Sequence, residues 1–192
     1  MKTDIILCGV GGQGILSIAN IIGYAAVENG LYLKQSEVHG MSQRGGAVES
    51  HLRISDKKIF SDLIPLGSAD MLLSVEPMEA LRYVPFLSEN GWIVTNTKPF
   101  VNIPNYPDIN TVYQEIKKFG KHILIDADNI AREVGSPKAM NMVILGASSR
   151  FLNLSGLEEA VKAVFGRKGV DVVKMNLEAL EKGRLFAENY IK

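Results

Sequence analysis

A glycine-rich turn between two apolar runs constrains this sequence more than any other feature. Ile5 to Cys8 is a short, wholly apolar run typical of a buried strand, and Ile15 to Val27 is long enough for a helix. The glycine turn between them contains Gly9, Gly11, Gly12, Gln13 and Gly14. Glycines let the backbone turn sharply, and the following helix directs its unpaired N–H groups into the turn. The pattern predicts the opening of a βαβ unit with a site suited to an anion.

Strands and helices alternate through the first two-thirds of the chain, and the last third is helical. Further strands are predicted at 31–35, 47–54, 69–75, 91–95 and 122–126, with a hairpin turn at 55–58 and a short return strand at 59–60. Further helices are predicted at 77–84, 111–119, 137–150, 157–165 and 170–191, and Ser155 with Glu158 forms a capping-box pattern. The fold class is therefore α/β, as one three-layer α/β/α domain over 1–192, with a mostly parallel, mixed sheet and a helical C-terminus.

Charge and cysteine content exclude several classes of protein. Among 192 residues, 21 Lys and Arg balance 21 Asp and Glu, so nothing global favours nucleic acid or an anionic membrane. Cys8 is the only cysteine, so the chain cannot form a disulfide or hold an iron–sulfur cluster on thiolates alone. The N-terminus lacks a secretory cleavage pattern, and no run suits a lipid environment. We expect a cytoplasmic protein.

The glycine turn also satisfies the spacing of a dinucleotide fingerprint. Gly9-x-Gly11-x-x-Gly14 follows a strand and precedes a helix, and Glu37 could serve as the ribose-binding carboxylate after the second strand. Against this interpretation, Gly12 adds a glycine inside the turn and Gln13 adds a bulky amide. The spacing alone leaves open a dinucleotide site, another anion site or a tight structural turn.

A second glycine-rich segment, Ser36 to Gly46, follows the second strand. It contains Glu37, His39 and Arg44, and it ends in Gly45 and Gly46. Because loops at the carboxyl ends of strands gather ligands in open α/β sheets, this loop is expected beside the glycine turn. An Arg before two glycines could bind a carboxylate or phosphate, and a His could exchange protons. A surface loop with an incidental His and a salt-bridged Arg is the alternative.

Other polar residues suggest structural roles. Glu49 and His51 share one face of an alternating strand and could form a metal or proton pair, but a structural role is favoured. The three histidines lack the spacing of a ligand cluster, so no metal site is predicted. Cys8 lies within an apolar strand and is expected to be inert, and Asp126 is expected to cap a helix.

The two glycine segments together are more specific than either alone. Gly9-Val-Gly-Gly-Gln-Gly14, Glu37-Val-His-Gly-Met-Ser-Gln-Arg-Gly-Gly46 and Val48-Glu-Ser-His-Leu-Arg53 resemble the gamma-type subunit of 2-oxoacid:ferredoxin oxidoreductases. Within that group the sequence looks most like the small (beta) subunit of indolepyruvate:ferredoxin oxidoreductase. Glu76-Pro-x-Glu79 and Asn96-Thr97 also look familial. The resemblance covers almost the whole chain and is weakest over 100–120 and the last helices.

The resemblance implies a Rossmann-like domain and a shared reaction. A 2-oxoacid such as indolepyruvate would be oxidatively decarboxylated with coenzyme A as co-substrate, and electrons would pass to ferredoxin. Thiamine diphosphate and iron–sulfur clusters would belong to a larger partner subunit, and this chain alone would bind no cofactor. Because such a domain would expose an apolar patch to its partner, a homodimer in isolation is also expected.

The resemblance also suggests roles for individual residues. Arg44 would bind a carboxylate or phosphate, and His39 or Glu37 would assist orientation or proton transfer. The cofactor-binding residues would be Gly9, Gly11, Gly12, Gln13, Gly14, Gly45, Gly46 and Asn96, facing the partner's thiamine site or the approach of coenzyme A. An independent NAD- or flavin-dependent enzyme and a non-catalytic interaction module remain as alternatives.

Overall fold

The computed structural model describes residues 1–39 and 45–191, with the backbone alone at His39. Six strands and seven α-helices occur in these ranges. The strands are β1 (Lys2–Val10), β2 (Tyr32–His39), β3 (Ala47–Ser55), β4 (Ala69–Ser74), β5 (Leu87–Asn96) and β6 (His122–Ile125). The helices are α1 (Ile15–Glu28), α2 (Pro77–Arg82), α3 (Ile109–Lys117), α4 (Ala127–Glu133), α5 (Met140–Leu152), α6 (Leu157–Phe165) and α7 (Val170–Tyr190).

All six strands form one mixed sheet in the order β2-β3-β1-β4-β5-β6. β1, β4, β5 and β6 run parallel, while β3 pairs antiparallel with both β1 and β2. The α/β class with a mostly parallel, mixed sheet is therefore confirmed. Loops after parallel strands meet at one edge of the sheet, here called the carboxyl edge.

Two hydrophobic clusters cover the two faces of the sheet, and β1 contributes to both. Ile5 and Leu7 pack with α1 and α4 to α7, whereas Ile6 and Cys8 pack with α2 and α3. Because both faces are covered, the strand is apolar without alternation. The helix after β1 and the helix after β4 lie on opposite faces, so the ends of these two strands form a topological switch point.

The helical C-terminus is organised by two glycines that let α5 and α7 touch through their backbones. A Cβ at Gly146 would overlap the Leu180 carbonyl oxygen, and a Cβ at Gly183 would overlap the Val143 carbonyl oxygen. Only glycine permits this approach. The close packing holds α5 against α7 and so fixes the first turn of α5 at the carboxyl edge.

Two local predictions are wrong, and side-chain hydrogen bonds explain both. Residues 59–60 form no return strand; instead the Arg53 guanidinium binds the carbonyls of Ser61 and Leu63, at 3.1 and 2.9 Å. The capping box at α6 is also absent, because the helix begins after Gly156 with φ 78°. The Ser155 hydroxyl donates to Asn29 Oδ1 at 2.9 Å.

Within the described residues, no helix is both long and apolar enough to cross a membrane.

Candidate functional site

The two glycine segments meet at the carboxyl edge. Gly11 N donates to the Gly46 carbonyl at 2.8 Å, and Gly45 N donates to the Gly11 carbonyl at 3.4 Å. The predicted proximity is therefore confirmed for Gly45 and Gly46, here called the hairpin base. β1 and β2 are nevertheless not neighbours, because β3 lies between them, and the hairpin base directly precedes β3 rather than extending β2.

The side chain of Gln13 fills the switch point between β1 and β4. Its Oε1 accepts from Val10 N at 2.8 Å, and its Nε2 donates to the Val75 carbonyl at 3.5 Å. Gly9 lies so close to Val75 that a Cβ on this glycine would overlap the valine methyl group. A dinucleotide would occupy the space that Gln13 and Val75 fill. The glycine turn is therefore suited to close packing of β1 against β4, and a ligand could approach only from the outer side of the turn, away from Val75.

The N-terminus of α1 opens onto that outer side. Gly12 and Gly14 have φ of 100° and 85°, a backbone conformation that favours glycine, and no described side chain caps the helix. The first helical residues, Ile15 to Ser17, carry no acidic group. The positive end of the helix dipole is therefore available to an anion.

Asn141, in the first turn of α5, completes the glycine turn from the other side. Its Nδ2 donates to the Gly14 carbonyl at 3.1 Å. Its Oδ1 is buried and finds no hydrogen-bond partner among the described residues, although the whole residue is only 5% exposed. A buried acceptor without a donor is costly and indicates a missing partner. Sequence reasoning missed Asn141, because it looks like one polar residue in an apolar helix.

A cleft of about 760 Å³ extends from the glycine turn past Asn141. Lys138 and Lys168 contribute positive charge to its lining, and Phe165 and Met175 contribute apolar surface. A smaller cavity of about 260 Å³ lies on the opposite side of the turn, between α1 and Glu37. The larger cleft combines charge, apolar surface and polar groups in the manner of a site for a phosphorylated organic molecule.

Two of the three predicted catalytic residues, Glu37 and His39, belong to the edge strand β2. The strand extends to His39, so Glu37 and His39 belong to a strand rather than to the loop. The Glu37 carboxylate accepts from Gln35 Nε2 at 3.3 Å and borders the smaller cavity. The backbone of His39 is opposite Val48, and Arg44 lies outside the described residues. The catalytic roles of these residues stay predictions.

Asn96 is buried and serves as a connector between elements. Its Nδ2 donates to Asp128 Oδ2 at 2.8 Å and to the Val75 carbonyl at 3.4 Å. Its Oδ1 accepts from Ala127 N at 3.2 Å. These bonds tie the end of β5 to β4 and α4, and a cofactor-binding role for Asn96 stays a prediction.

The link between β5 and α3, residues 97–108, crosses the carboxyl edge and is called the strap below. Asn102 Nδ2 in the strap donates to the Gly45 carbonyl at 2.7 Å. The hairpin base is therefore held on one side by the glycine turn and on the other by the strap. No sequence pattern indicates this contact, because the strap is proline-rich and irregular.

The remaining polar residues that the sequence analysis considered have structural roles. His51 Nε2 contacts Glu49 Oε1 at 2.7 Å, while Nδ1 accepts from Ile64 N at 2.9 Å. No cluster of metal-ligating residues occurs in the ranges that the structure describes. Cys8 is fully buried, and burial raises the pKa of its thiol. Asp126 caps α4 by accepting from Asn129 N at 2.9 Å, as predicted.

Comparison with known proteins places these features in one family. Residues 4–186 match the model of the pyruvate ferredoxin/flavodoxin oxidoreductase family. The chain is 36% identical to indolepyruvate oxidoreductase subunit IorB from Archaeoglobus fulgidus over 95% of this chain and 94% of that protein. The keto/oxoacid ferredoxin oxidoreductase gamma subunit from Geobacter sulfurreducens is 28% identical, with a TM-score of 0.65 over 97% of this chain and 99% of the other.

A third relative carries the same fold inside a longer polypeptide. The 2-oxoglutarate:ferredoxin oxidoreductase from Magnetococcus marinus, solved with 2-oxoglutarate, coenzyme A and succinyl-CoA, is 26% identical with a TM-score of 0.78. The match covers 98% of this chain but only 31% of that one. The fold described here therefore corresponds to about a third of that longer chain.

Proposed function

The chain belongs to the pyruvate ferredoxin/flavodoxin oxidoreductase family, and on that premise we propose that it is the small subunit of an indolepyruvate-type enzyme. It is a subunit of a 2-oxoacid:ferredoxin oxidoreductase complex. In that complex an aryl pyruvate is oxidatively decarboxylated, coenzyme A accepts the acyl group, carbon dioxide leaves and two electrons pass to ferredoxin. The chain completes the active site and is inactive alone.

The electron-transfer centres belong to the larger partner in this proposal. Cys8, the single cysteine, is fully buried in β1 and its thiol stays protonated, so it does not suit an iron–sulfur cluster. Thiamine diphosphate, also held by the partner, supplies the chemistry of decarboxylation. The described residues of this chain instead provide binding groups.

The observation that carries the proposal is the meeting of Gly11 with the hairpin base at the carboxyl edge. Both segments are the ones through which the sequence resembles the family. Their contact brings Gly45 and Gly46 beside Gly11 and the N-terminus of α1, which supports a single shared site at this edge. Such a site suits a phosphate or carboxylate that a partner's active site shares.

Coenzyme A fits the large cleft beside the glycine turn. Lys138, Lys168 and the N-terminus of α1 would hold phosphate groups, and Phe165 and Met175 would contact an apolar or aromatic part. The buried Oδ1 of Asn141 needs a donor, and a nucleotide offers amino and hydroxyl groups. The cleft thus has the charge and hydrogen-bonding groups that a long phosphorylated co-substrate requires.

Arg44 is the residue whose substitution tests this function most directly. Arg44→Ala should cut turnover of the assembled complex, because Arg44 binds the carboxylate or phosphate, and should leave assembly intact by size-exclusion chromatography. Arg150→Ala, at the far end of α5 from Asn141, is the matched loss of a surface arginine and should retain wild-type turnover. Equal activity of both variants would remove Arg44 from the site.

Titration of the purified chain separates this function from an independent NAD- or flavin-dependent enzyme. We expect no tight binding of either dinucleotide and no oxidoreductase activity, because Gln13 and Val75 fill the switch point. The same sample tests self-association, since the exposed Phe60, Leu66 and Val101 would support a homodimer without the partner. A dinucleotide dissociation constant in the micromolar range would favour the independent enzyme.

A further inference from the structure

The Glu76-Pro77-x-Glu79 motif places two carboxylates in the protein interior, and the proposed function uses neither. Each residue is 1% exposed. Glu79 pairs with the Arg82 guanidinium at 2.8 Å, as a buried acidic group usually must. Glu76 forms no ion pair with any described residue, so other groups must compensate its burial.

Three donors converge on the Glu76 carboxylate. Its Oε2 accepts from Glu79 N at 2.8 Å, and its Oε1 accepts from Phe100 N at 3.2 Å and from the Tyr106 hydroxyl. Desolvation and the nearby carboxylate raise the pKa of Tyr106, so its hydroxyl remains a donor. An ionised carboxylate accepts at both oxygens and suits three donors that all point inward.

Two of these donors, Phe100 N and the Tyr106 hydroxyl, belong to the strap, so Glu76 holds the strap by hydrogen bonds from the protein interior. Phe100 N and the Tyr106 hydroxyl flank the exposed middle of the strap, where Asn102 reaches the Gly45 carbonyl. Gly45 N in turn donates to the Gly11 carbonyl. Hydrogen bonds at Phe100 and Tyr106, the backbone of the strap between them and the Asn102 bond to Gly45 therefore connect the buried carboxylate to the hairpin base.

We propose that Glu76 is a positioning residue for the carboxyl-edge site, acting through Asn102 on the hairpin base. The hairpin base is hydrogen-bonded to Gly11 of the glycine turn, so the strap controls where this part of the carboxyl edge lies. This inference rests on the proposed function only in assigning Arg44 to the site. Its structural part, the control of Gly45 by Glu76, holds whatever the site binds.

Glu76→Gln is the sharpest substitution because it keeps size and shape. An amide has one acceptor oxygen and one NH₂ group, so one orientation directs the NH₂ at Glu79 N and the other directs it at Phe100 N. Either way one backbone donor loses its acceptor, and because an amide oxygen is a weaker acceptor than a carboxylate oxygen, the bonds to the strap are weakened in one orientation and lost in the other. Glu79→Gln is the matched control, because it alters a buried carboxylate of the same helix whose side chain bonds Arg82 rather than the strap.

Hydrogen exchange on the full chain tests the structural part directly. Glu76→Gln should speed exchange of the Gly11 and Gly45 amides on the order of 10-fold relative to Glu79→Gln, because the strap restrains the hairpin base less. Asn102 is exposed, so Asn102→Ala should leave the fold intact, and it should speed exchange of the same amides by a similar factor. Exchange at these amides that is the same in Glu76→Gln and Glu79→Gln would overturn the proposal.

Kinetics of the assembled complex test the consequence for the site. Glu76→Gln and Asn102→Ala should each lower kcat/KM of the complex on the order of 10-fold, which is smaller than the roughly 100-fold loss of rate that a 1 Å displacement can cause. Because both act through one contact, the double variant should match the larger single effect rather than their product. Independent, multiplying effects would contradict transmission through Asn102.

Arg44→Ala in the same assay separates the two proposals. If it impairs turnover while Glu76→Gln behaves like Glu79→Gln, the positioning role fails and the proposed function stands. If Arg44→Ala has no effect, the proposed function fails in its assignment of Arg44. Hydrogen exchange at the hairpin base still decides the positioning role in that case.

Discussion

Asn141 donates from Nδ2 to the carbonyl oxygen of Gly14 across 3.1 Å, although the two residues are 127 positions apart in the chain. This bond joins the start of α5 to the N-terminus of α1. It leaves Asn141 Oδ1 buried and without a described partner. The glycine turn is therefore finished by a helix from the far end of the sequence.

Gly14→Ala should destabilise the protein by about 3 kcal/mol, the sum of two effects. A Cβ at φ 85° is strained, and it would lie 2.5 Å from Asn141 Nδ2. Gly12→Ala is the control, because φ is 100° but nothing lies within 4 Å of its Cβ. It should cost about 1 kcal/mol from backbone strain alone. Urea unfolding measures both, and equal losses would contradict the steric role of Asn141.

Gly146→Ala should destabilise the fold by at least about 3 kcal/mol, because the added methyl group would force α5 away from α7 at Leu180. Gly166→Ala adds the same methyl group where nothing lies within 4 Å and should change stability by less than about 0.5 kcal/mol. Thermal unfolding followed by circular dichroism compares the two. A Gly146→Ala protein as stable as wild type would show that the two helices do not pack through their backbones.

The Glu158–Arg184 pair should contribute to stability in a pH-dependent way. The Arg184 guanidinium hydrogen-bonds the Glu158 carboxylate and lowers its pKa. Since the folded pKa lies below the unfolded value of about 4.3, the contribution is full above that value and is lost as the pH falls through the folded pKa. Both side chains are partly exposed, so solvent screening limits it to less than about 1 kcal/mol.

Glu158→Gln tests this contribution by urea unfolding. The variant should be less stable than wild type at about pH 7, and the difference should vanish at about pH 2. Added salt should shrink the difference at neutral pH. Glu159→Gln, which alters a more exposed carboxylate one position away, should show little change at either pH. A difference that grows on acidification would have the wrong sign for a lowered pKa.

Cys8 should resist thiol reagents until the protein unfolds. Its side chain is fully buried, and burial raises the pKa of the thiol, so the reactive thiolate is scarce. Titration with a chromogenic disulfide reagent at about pH 8 should give negligible reaction in native buffer and one equivalent in denaturant. Rapid reaction of the folded protein would show that β1 opens locally.

The sequence predicted the layers and the order of strands and helices because β1 and α1 are apolar runs of the lengths typical of a buried strand and a helix. The predictions failed where a side chain from another part of the fold forms the hydrogen bonds that the local pattern required. Residues 59–60 look like a return strand, but the Arg53 guanidinium hydrogen-bonds the carbonyls of Ser61 and Leu63 in place of a pairing strand. Ser155 looks like a helix cap, but its hydroxyl bonds Asn29 from another element. Local patterns carry no information about such partners.

The predictions for the candidate site succeeded and failed for the same reasons. The glycine turn and the hairpin base were predicted because glycine-rich segments stand out in any sequence. Asn102 and Asn141 were missed, since each gains its meaning only from a carbonyl oxygen that the fold brings near, Gly45 and Gly14 respectively. The roles of His39 and Arg44 stay predictions.

The bond between Gly14 and Asn141 also bears on how the complex is made. During synthesis β1 and α1 emerge early, but the amide that closes the glycine turn follows more than a hundred residues later. Contacts of such long separation form late, after the intervening sheet has folded. The glycine turn is therefore complete only after α5 has been synthesised, and if the larger subunit binds at this edge, as proposed, we expect assembly to select chains that have passed that point over shorter nascent ones.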